Sequence, residues 1–235
     1  MRERLDIWPP FPIAISYRDS TNFRRDEGEN LFAALEHHDR VSRVFLYLQG
    51  PLLEEVVTVM QRPFPVLTHL FLTRENSRTP VIPSGFLRGS APCLQRLHLD
   101  GVAFPSLPIL LPSTSDLVDL YLGNILQGGY ISPEAMAACL AGLAKLKSLF
   151  IEFRPFTSFP GQSGTPPVTR TLLPALMSFD FQGASEYLKE FLSRIDSPRL
   201  HHIFIHNSSL IGDFQVVKLC NSSSTSITQK TPSWP

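Results

Sequence analysis

The residues whose types could do chemistry are the histidines, cysteines, acids and one glycine-flanked serine. Two histidine pairs, His37-His38 and His201-His202, carry the ring nitrogens that bind transition metals. Adjacent residues on a helix or strand do not face one point, and no cysteine or carboxylate stands at ligand spacing beside either pair. They are expected to be surface histidines near element ends. Ser163, in Gly161-Gln-Ser-Gly164, lacks the strand-to-helix setting that sharpens a nucleophile. It reads as a loop serine. The acids are scattered singly, so no carboxylate has a partner for general acid–base work. No glycine-rich phosphate loop with lysine is present. The expectation is no catalysis, no metal and no cofactor.

Charge narrows the partners. Lysine plus arginine number 21 and aspartate plus glutamate number 21, so the chain lacks the basic surplus that nucleic acid or an acidic membrane calls for. No uncharged apolar run approaches the roughly 20 residues of a membrane helix, and the first residues lack the apolar stretch of a secretory signal. Cys93, Cys139 and Cys220 are odd in number and widely spaced, as expected of reduced thiols in the cytoplasm or nucleus.

What organises the chain is a repeat. An aliphatic residue, two variable ones, a second aliphatic, one variable and a third aliphatic recur seven times. The copies are Val41-Ser-Arg-Val44-Phe-Leu46, Leu67-Thr-His-Leu70-Phe-Leu72, Leu94-Gln-Arg-Leu97-His-Leu99, and Leu117-Val-Asp-Leu120-Tyr-Leu122. Leu146-Lys-Ser-Leu149-Phe-Ile151, Leu176-Met-Ser-Phe179-Asp-Phe181 and Leu200-His-His-Ile203-Phe-Ile205 complete the set. From one first aliphatic to the next, the steps are 26, 27, 23, 29, 30 and 24 residues. That spacing lies close to the leucine-rich-repeat period of about 20–29 residues. A proline often stands two residues upstream, and the 21 prolines punctuate short apolar runs.

The second and third aliphatics are two apart, so on a strand they share a face. One strand per repeat, stacked in parallel, builds a continuous apolar core that no single repeat forms alone. The fold class expected is an α/β leucine-rich-repeat solenoid, or horseshoe. Its parallel sheet lines the concave face, and irregular helices or extended segments form the convex face.

The returns between phrases differ. Ser132-Pro133-Glu134 opens a helix over Ala135–Leu146 with a serine cap, a first-turn proline and an acid. Glu186–Ile195 carries an apolar stripe at helical spacing. Leu31–Glu36 and Leu52–Met60 are shorter helical segments. Phe104–Pro112, rich in proline, is expected to be short and extended. Phe153–Thr171 reads as a long surface loop.

Residues 1–30 are expected to hold an edge strand within Leu5–Ser16 and a polar loop from Arg18 to Asn30. Residues 31–206 hold the seven repeats. Residues 207–235 read as an irregular, poorly ordered tail, with the array stopping at residue 206.

The residue between the last two aliphatics of each phrase points away from the core. These residues are Phe45, Phe71, His98, Tyr121, Phe150, Asp180 and Phe204, five of the seven aromatic in a chain that is 10% aromatic. Neighbouring strands about 4.8 Å apart would set them in a ladder. The flanking row is Tyr47, Thr73, Asp100, Gly123, Glu152, Gln182 and His206, mostly polar. Aromatic anchors beside polar groups are the composition of interface hot spots. Phe45, Tyr47, Phe71, His98, Tyr121, Phe150, Asp180 and Phe204 are therefore the expected partner-binding residues. The same rings also have a structural use, since stacked aromatics strengthen neighbouring strands.

The Pro-x-Leu-x-x-Leu-x-Leu phrases at irregular steps, with the opening Leu-Asp-Ile-Trp-Pro-Pro-Phe-Pro-Ile, resemble fungal F-box-like proteins. In these the C-terminal half is an irregular leucine-rich-repeat domain. The resemblance covers roughly residues 5 to 206. It implies substrate recognition for a cullin-type ubiquitin ligase, with an F-box helix trio docking the ligase adaptor. No F-box segment stands ahead of the first repeat, so adaptor docking is expected only where an F-box is supplied. Three residues after the third aliphatic the usual asparagine is replaced by Glu75, Val102, Ile125, Arg154, Ala184 and Ser208, so irregular curvature is expected. The alternatives are a free-standing inhibitor or sensor, or a nonfunctional fragment of a longer product.

Overall fold

The structure, a computed structural model, describes residues 11–18, 25–75, 79–154, 170–206 and 226–229. The protein is α/β, built on one parallel sheet. Its strands are β1 (Ile13–Arg18), β2 (Val41–Leu48), β3 (His69–Arg74), β4 (Arg96–Asp100), β5 (Asp119–Ile125) and β6 (Ser148–Phe153). After β7 (Thr171–Leu172) come β8 (Ser178–Gln182), β9 (Ile195–Asp196), β10 (His202–His206) and β11 (Ser226–Gln229). Nine of these form the main sheet in the order β1-β2-β3-β4-β5-β6-β8-β10-β11, while β7 and β9 pair separately. Every pairing is parallel.

The repeated phrase is also the repeated structural unit. The residue after the first aliphatic donates its N–H to the matching carbonyl one repeat back: Thr68 to Ser42, Gln95 to Thr68, Val118 to Gln95, Lys147 to Val118, Met177 to Lys147 and His201 to Met177, all at 2.8–3.0 Å. The first aliphatic closes a tight turn. Leu67 N–H reaches Phe64 O, Leu94 reaches Ala91, Leu176 reaches Leu173 and Leu200 reaches Ser197. Pro65, Pro92, Pro174 and Pro198 each occupy the second position of that turn, where a fixed φ near −65° is favoured. This explains the proline two residues upstream.

All three apolar positions of the first six phrases are buried, Phe179 and Phe181 among them, as are Leu200 and Ile203 of the seventh; Ile205 is partly buried against the same core. Burying such side chains contributes roughly 1.5–3 kcal/mol each, so the phrases supply the main drive for stacking. The opposite side of the core is closed by helices α1 (Arg25–Glu36), α2 (Gly50–Val59), α3 (Leu107–Leu110), α4 (Pro133–Leu140) and α5 (Ser185–Arg194). Ser132 caps α4 by accepting a hydrogen bond from Ala135 N–H at 3.2 Å, and Pro133 sits in its first turn. Tyr187, Leu188 and Phe191 are the buried stripe of α5. Tyr187 Oη donates to Ile131 O at 3.1 Å, satisfying a buried carbonyl.

Several expectations change. Helix α1 begins at Arg25, so the loop expected from Arg18 to Asn30 is shorter, and Arg18 itself completes β1 by pairing with Tyr47. Phe104–Pro112 is not extended. It forms the single turn of α3, followed by a 3-10 turn over Leu111–Ser113, because Pro108 and Pro112 each fall in a first turn, where no amide is required. Helix α4 ends at Leu140 rather than Leu146, since Leu143 to Leu146 must form the tight turn that opens the next strand. One further strand, β11, pairs in register with β10, while residues 207–225 and 230–235 of the expected tail lie outside the described residues. Of the expected edge strand, residues 5–10 lie outside the described residues, as does most of the Phe153–Thr171 loop. No described helix is long and apolar enough to cross a membrane.

Candidate functional site

On the face of the sheet away from the core, the seven between-aliphatic residues are register partners from strand to strand. Phe45 pairs with Phe71, Phe71 with His98, His98 with Tyr121 and Tyr121 with Phe150; Asp180 then pairs with both Phe150 and Phe204. All seven side chains are part-exposed. The first five are rings, and they stack. Centroids lie 4.7 Å apart for Phe45–Phe71, 5.2 Å for Phe71–His98, 3.9 Å for His98–Tyr121 and 4.2 Å for Tyr121–Phe150. The planes are inclined by 29° and 17° in the first two pairs and only 5° and 7° in the last two.

Alternation on a strand aims each ring away from the core, and equal offsets in the phrases align them across strands. Tyr121 has a further device. Gly123 follows two residues later on the same face, and a Cβ there would lie 2.5 Å from the Tyr121 ring. Glycine leaves the space over which that ring lies. The next residue, Asn124, has φ 50°, and pairing skips from Leu122–Ile151 to Ile125–Phe153, a bulge in β5. Asn124 donates to Asp100 through its amide and accepts from Arg154 Nε at 3.2 Å.

The bulge sits beside an acidic region. Asp100, Glu152 and Asp180 all act on the Tyr121 hydroxyl, whose pKa is pushed up to about 12, mainly by burial and then by these three charges. Burial also raises the Glu152 carboxyl, although the Asn124 backbone N–H bonds to it and opposes the rise. Asp180 is raised by burial too, with His206 opposing. His206 Nε2 lies 3.3 Å from Asp180 Oδ1, close enough for an ion pair when the imidazole is protonated. Burial lowers the His98 pKa below its ordinary value, against the pull of Asp100.

At the other end of the column, Tyr47 stands in the flanking row with the Arg18 guanidinium 4.5 Å above its ring. The expected binding residues thus divide. Phe45, Phe71, His98, Tyr121 and Phe150 form one column and Tyr47 lies beside it. Asp180 interrupts the row, and Phe204 stands beyond it, stacked on His202 at 6.3 Å. Sequence reasoning placed Gly123 only in the polar flanking row and missed Asn124. The Gly-Asn pair inside a strand pattern is the signal that marks a bulge there.

The histidine pairs go to separate uses. His38 Nδ1 contacts Pro63 O at 2.8 Å, and His201 is exposed. Among the described residues no group of three or more His, Cys, Asp or Glu is placed to hold a metal ion. Ser163 lies outside the described residues. The rings of the column stand side by side across the strands. What they offer is a preorganised, part-exposed aromatic surface. Comparison of the chain with protein-family models, curated proteins and solved structures finds no match.

Proposed function

We propose that the chain is a leucine-rich-repeat solenoid acting as a protein-interaction module, with its partner docking on the ring-lined face of the sheet. The observation that carries this reading is the column Phe45–Phe71–His98–Tyr121–Phe150, five stacked rings left part-exposed on one face. Interfaces concentrate their binding energy in a few aromatic anchors. Rings already locked by their neighbours lose little side-chain entropy when a partner covers them. The same stacking staples the strands, and the two roles are compatible.

The repeat phrases resemble those of F-box-like proteins. On that resemblance the module recognises substrates for a cullin-type ubiquitin ligase, in the cytoplasm or nucleus. Free thiols at Cys93 and Cys139 are in keeping with such a compartment. The specific alternative is a free-standing inhibitor or sensor that uses the same face.

The test is affinity purification of the tagged chain from its own cells, beside a variant carrying Phe71→Ser, Tyr121→Ser and Phe150→Ser. A partner captured by the parent chain and lost by the folded variant supports the reading. Co-recovery of ligase adaptor and cullin places it in ubiquitin ligation, whereas another partner favours the free-standing module. Undiminished capture by the triple variant overturns the proposal.

A further inference from the structure

The ring column ends at Phe150, and a ring returns two strands later at Phe204. Between them, in register with both, stands the shorter side chain of Asp180. Strands about 4.8 Å apart put the two ring-bearing positions about 10 Å from each other. A planar group packed against a ring on each side needs about 3.5–4.0 Å per contact, or about 7–8 Å in all. Phe150 is held against Tyr121 at 4.2 Å on its other face, so closing on a planar group falls to a leaning of Phe204. Elsewhere in the row this middle position holds a ring and the space is filled. Here it has an acidic floor.

The floor is open to one side. Oδ1 of Asp180 is buried, yet its side chain as a whole is 27% exposed, so the rest of the side chain reaches the surface. Glu152, two residues along β6 from Phe150, adds a second half-buried carboxylate on the same face. The nearest internal base is His206, which faces the buried Oδ1 and is cationic only when protonated. Negative charge at the base and aromatic faces at the walls complement a flat cation. The protein already makes half of this arrangement with its own Arg18 over Tyr47.

We propose that Phe150, Asp180 and Phe204 form a seat for an arginine side chain of the protein partner. Its guanidinium lies between the two rings and donates to the Asp180 carboxylate. Arginine suits the slot better than lysine because its head is planar, weakly hydrated and able to donate two parallel hydrogen bonds to one carboxylate. The inference rests on the interaction-module reading and specifies one contact within it.

The test uses the full chain and a small probe, so that no partner is needed. N-acetyl-arginine amide is titrated while the resonances of Phe150, Asp180 and Phe204 are followed by NMR, beside the neutral isostere N-acetyl-citrulline amide. Saturable shifts at those three residues are expected with the arginine probe. Weakening of about tenfold is expected for citrulline or in Asp180→Asn, from loss of a charge-assisted contact. Phe204→Leu, which keeps an apolar side chain there, should weaken binding roughly two- to fivefold by removing one ring face. Absence of saturable shifts, equal binding of both probes, or unchanged binding in Asp180→Asn overturns the proposal. If the probe fails while the triple ring variant still loses its partner, the arginine seat falls and the docking face stands. If the probe binds while the triple ring variant, which lacks the Phe150 wall, keeps its partner, the partner does not use the slot and both proposals fall.

Discussion

The imidazole of His98 lies flat on the phenol ring of Tyr121, with centroids 3.9 Å apart and planes 5° apart. Phe71 covers its other face at 5.2 Å. With water excluded from both faces, the protonated imidazole is disfavoured, and its pKa falls below the ordinary 6.5 despite Asp100 nearby.

That shift predicts a pH dependence of stability with a defined sign. The unfolded chain takes up a proton on His98 near pH 6.5, while the folded chain resists until lower pH. Between those points the unfolded state binds more protons, so stability falls as pH drops through 6.5 and levels off below the folded pKa. His98→Phe keeps a ring and cannot titrate. The stability difference between parent and variant in urea should be flat above that window and tilt against the parent within it. An NMR titration placing His98 at or above 6.5 would contradict this account.

The helix starts predict two changes of opposite sign. Ser132→Ala removes the hydrogen bond to Ala135 N–H and should destabilise the protein by about 1 kcal/mol, with Ser132→Asp close to neutral. Helix α5 has Ala184 at the equivalent position, extended at φ −71° and ψ 139° and without a side-chain cap. Ala184→Ser should stabilise by roughly 0.5–1 kcal/mol. Urea denaturation of the three variants tests both, and a destabilised Ala184→Ser would show that the site does not admit a cap.

Much of this architecture was legible because burial imposes a period. The first aliphatic, the second three residues on and the third two further on serve a turn and a strand, so Leu67, Leu70 and Leu72 announce their roles from spacing alone. The order of the ladder was legible for the same reason, since equal offsets put Phe71 beside His98. Less visible was the start of α1, whose first turns, from Arg25, are polar and show no apolar stripe. Face-to-face stacking was not legible either, because side-chain torsions decide it. Nor was the bulge at Gly123 and Asn124, where the apolar pattern runs on to Ile125 while the pairing skips from Leu122 to Ile125. The place of Asp180 between Phe150 and Phe204 was legible from the same offsets, whereas the partial exposure of its side chain was not.

Tyr121 predicts a second titration, at the alkaline end. Its phenol is pushed up to about 12, first by burial and then by Asp100, Glu152 and Asp180. Exposed tyrosines ionise near 10. Between about 10 and about 12 the folded state keeps a proton that the unfolded state has lost, so stability declines as pH rises across that range. An ultraviolet difference titration against Tyr121→Phe should show this phenol still protonated at about pH 11. Glu152→Gln should lower its pKa without restoring the ordinary value, because burial remains. A Tyr121 signal titrating with the exposed tyrosines would remove the premise.

The tightest point of the column predicts a coupled pair. Gly123 has a backbone outside the left-handed region, so alanine there meets no conformational penalty. Its Cβ would instead lie 2.5 Å from Tyr121 Cε1 and 2.8 Å from the phenol oxygen. A free tyrosine would swing aside at little cost. This one is held between His98 and Phe150, so displacing it breaks two stacked contacts. Gly123→Ala should therefore destabilise the protein by about 1–3 kcal/mol, as overpacking does. In a Tyr121→Ala background the ring is gone, and the same change should cost little or be slightly stabilising. The double-mutant cycle then returns a coupling of roughly 1–3 kcal/mol. Equal costs in both backgrounds would mean that the glycine serves the β5 bulge rather than the ring, and that the column tolerates a shifted Tyr121.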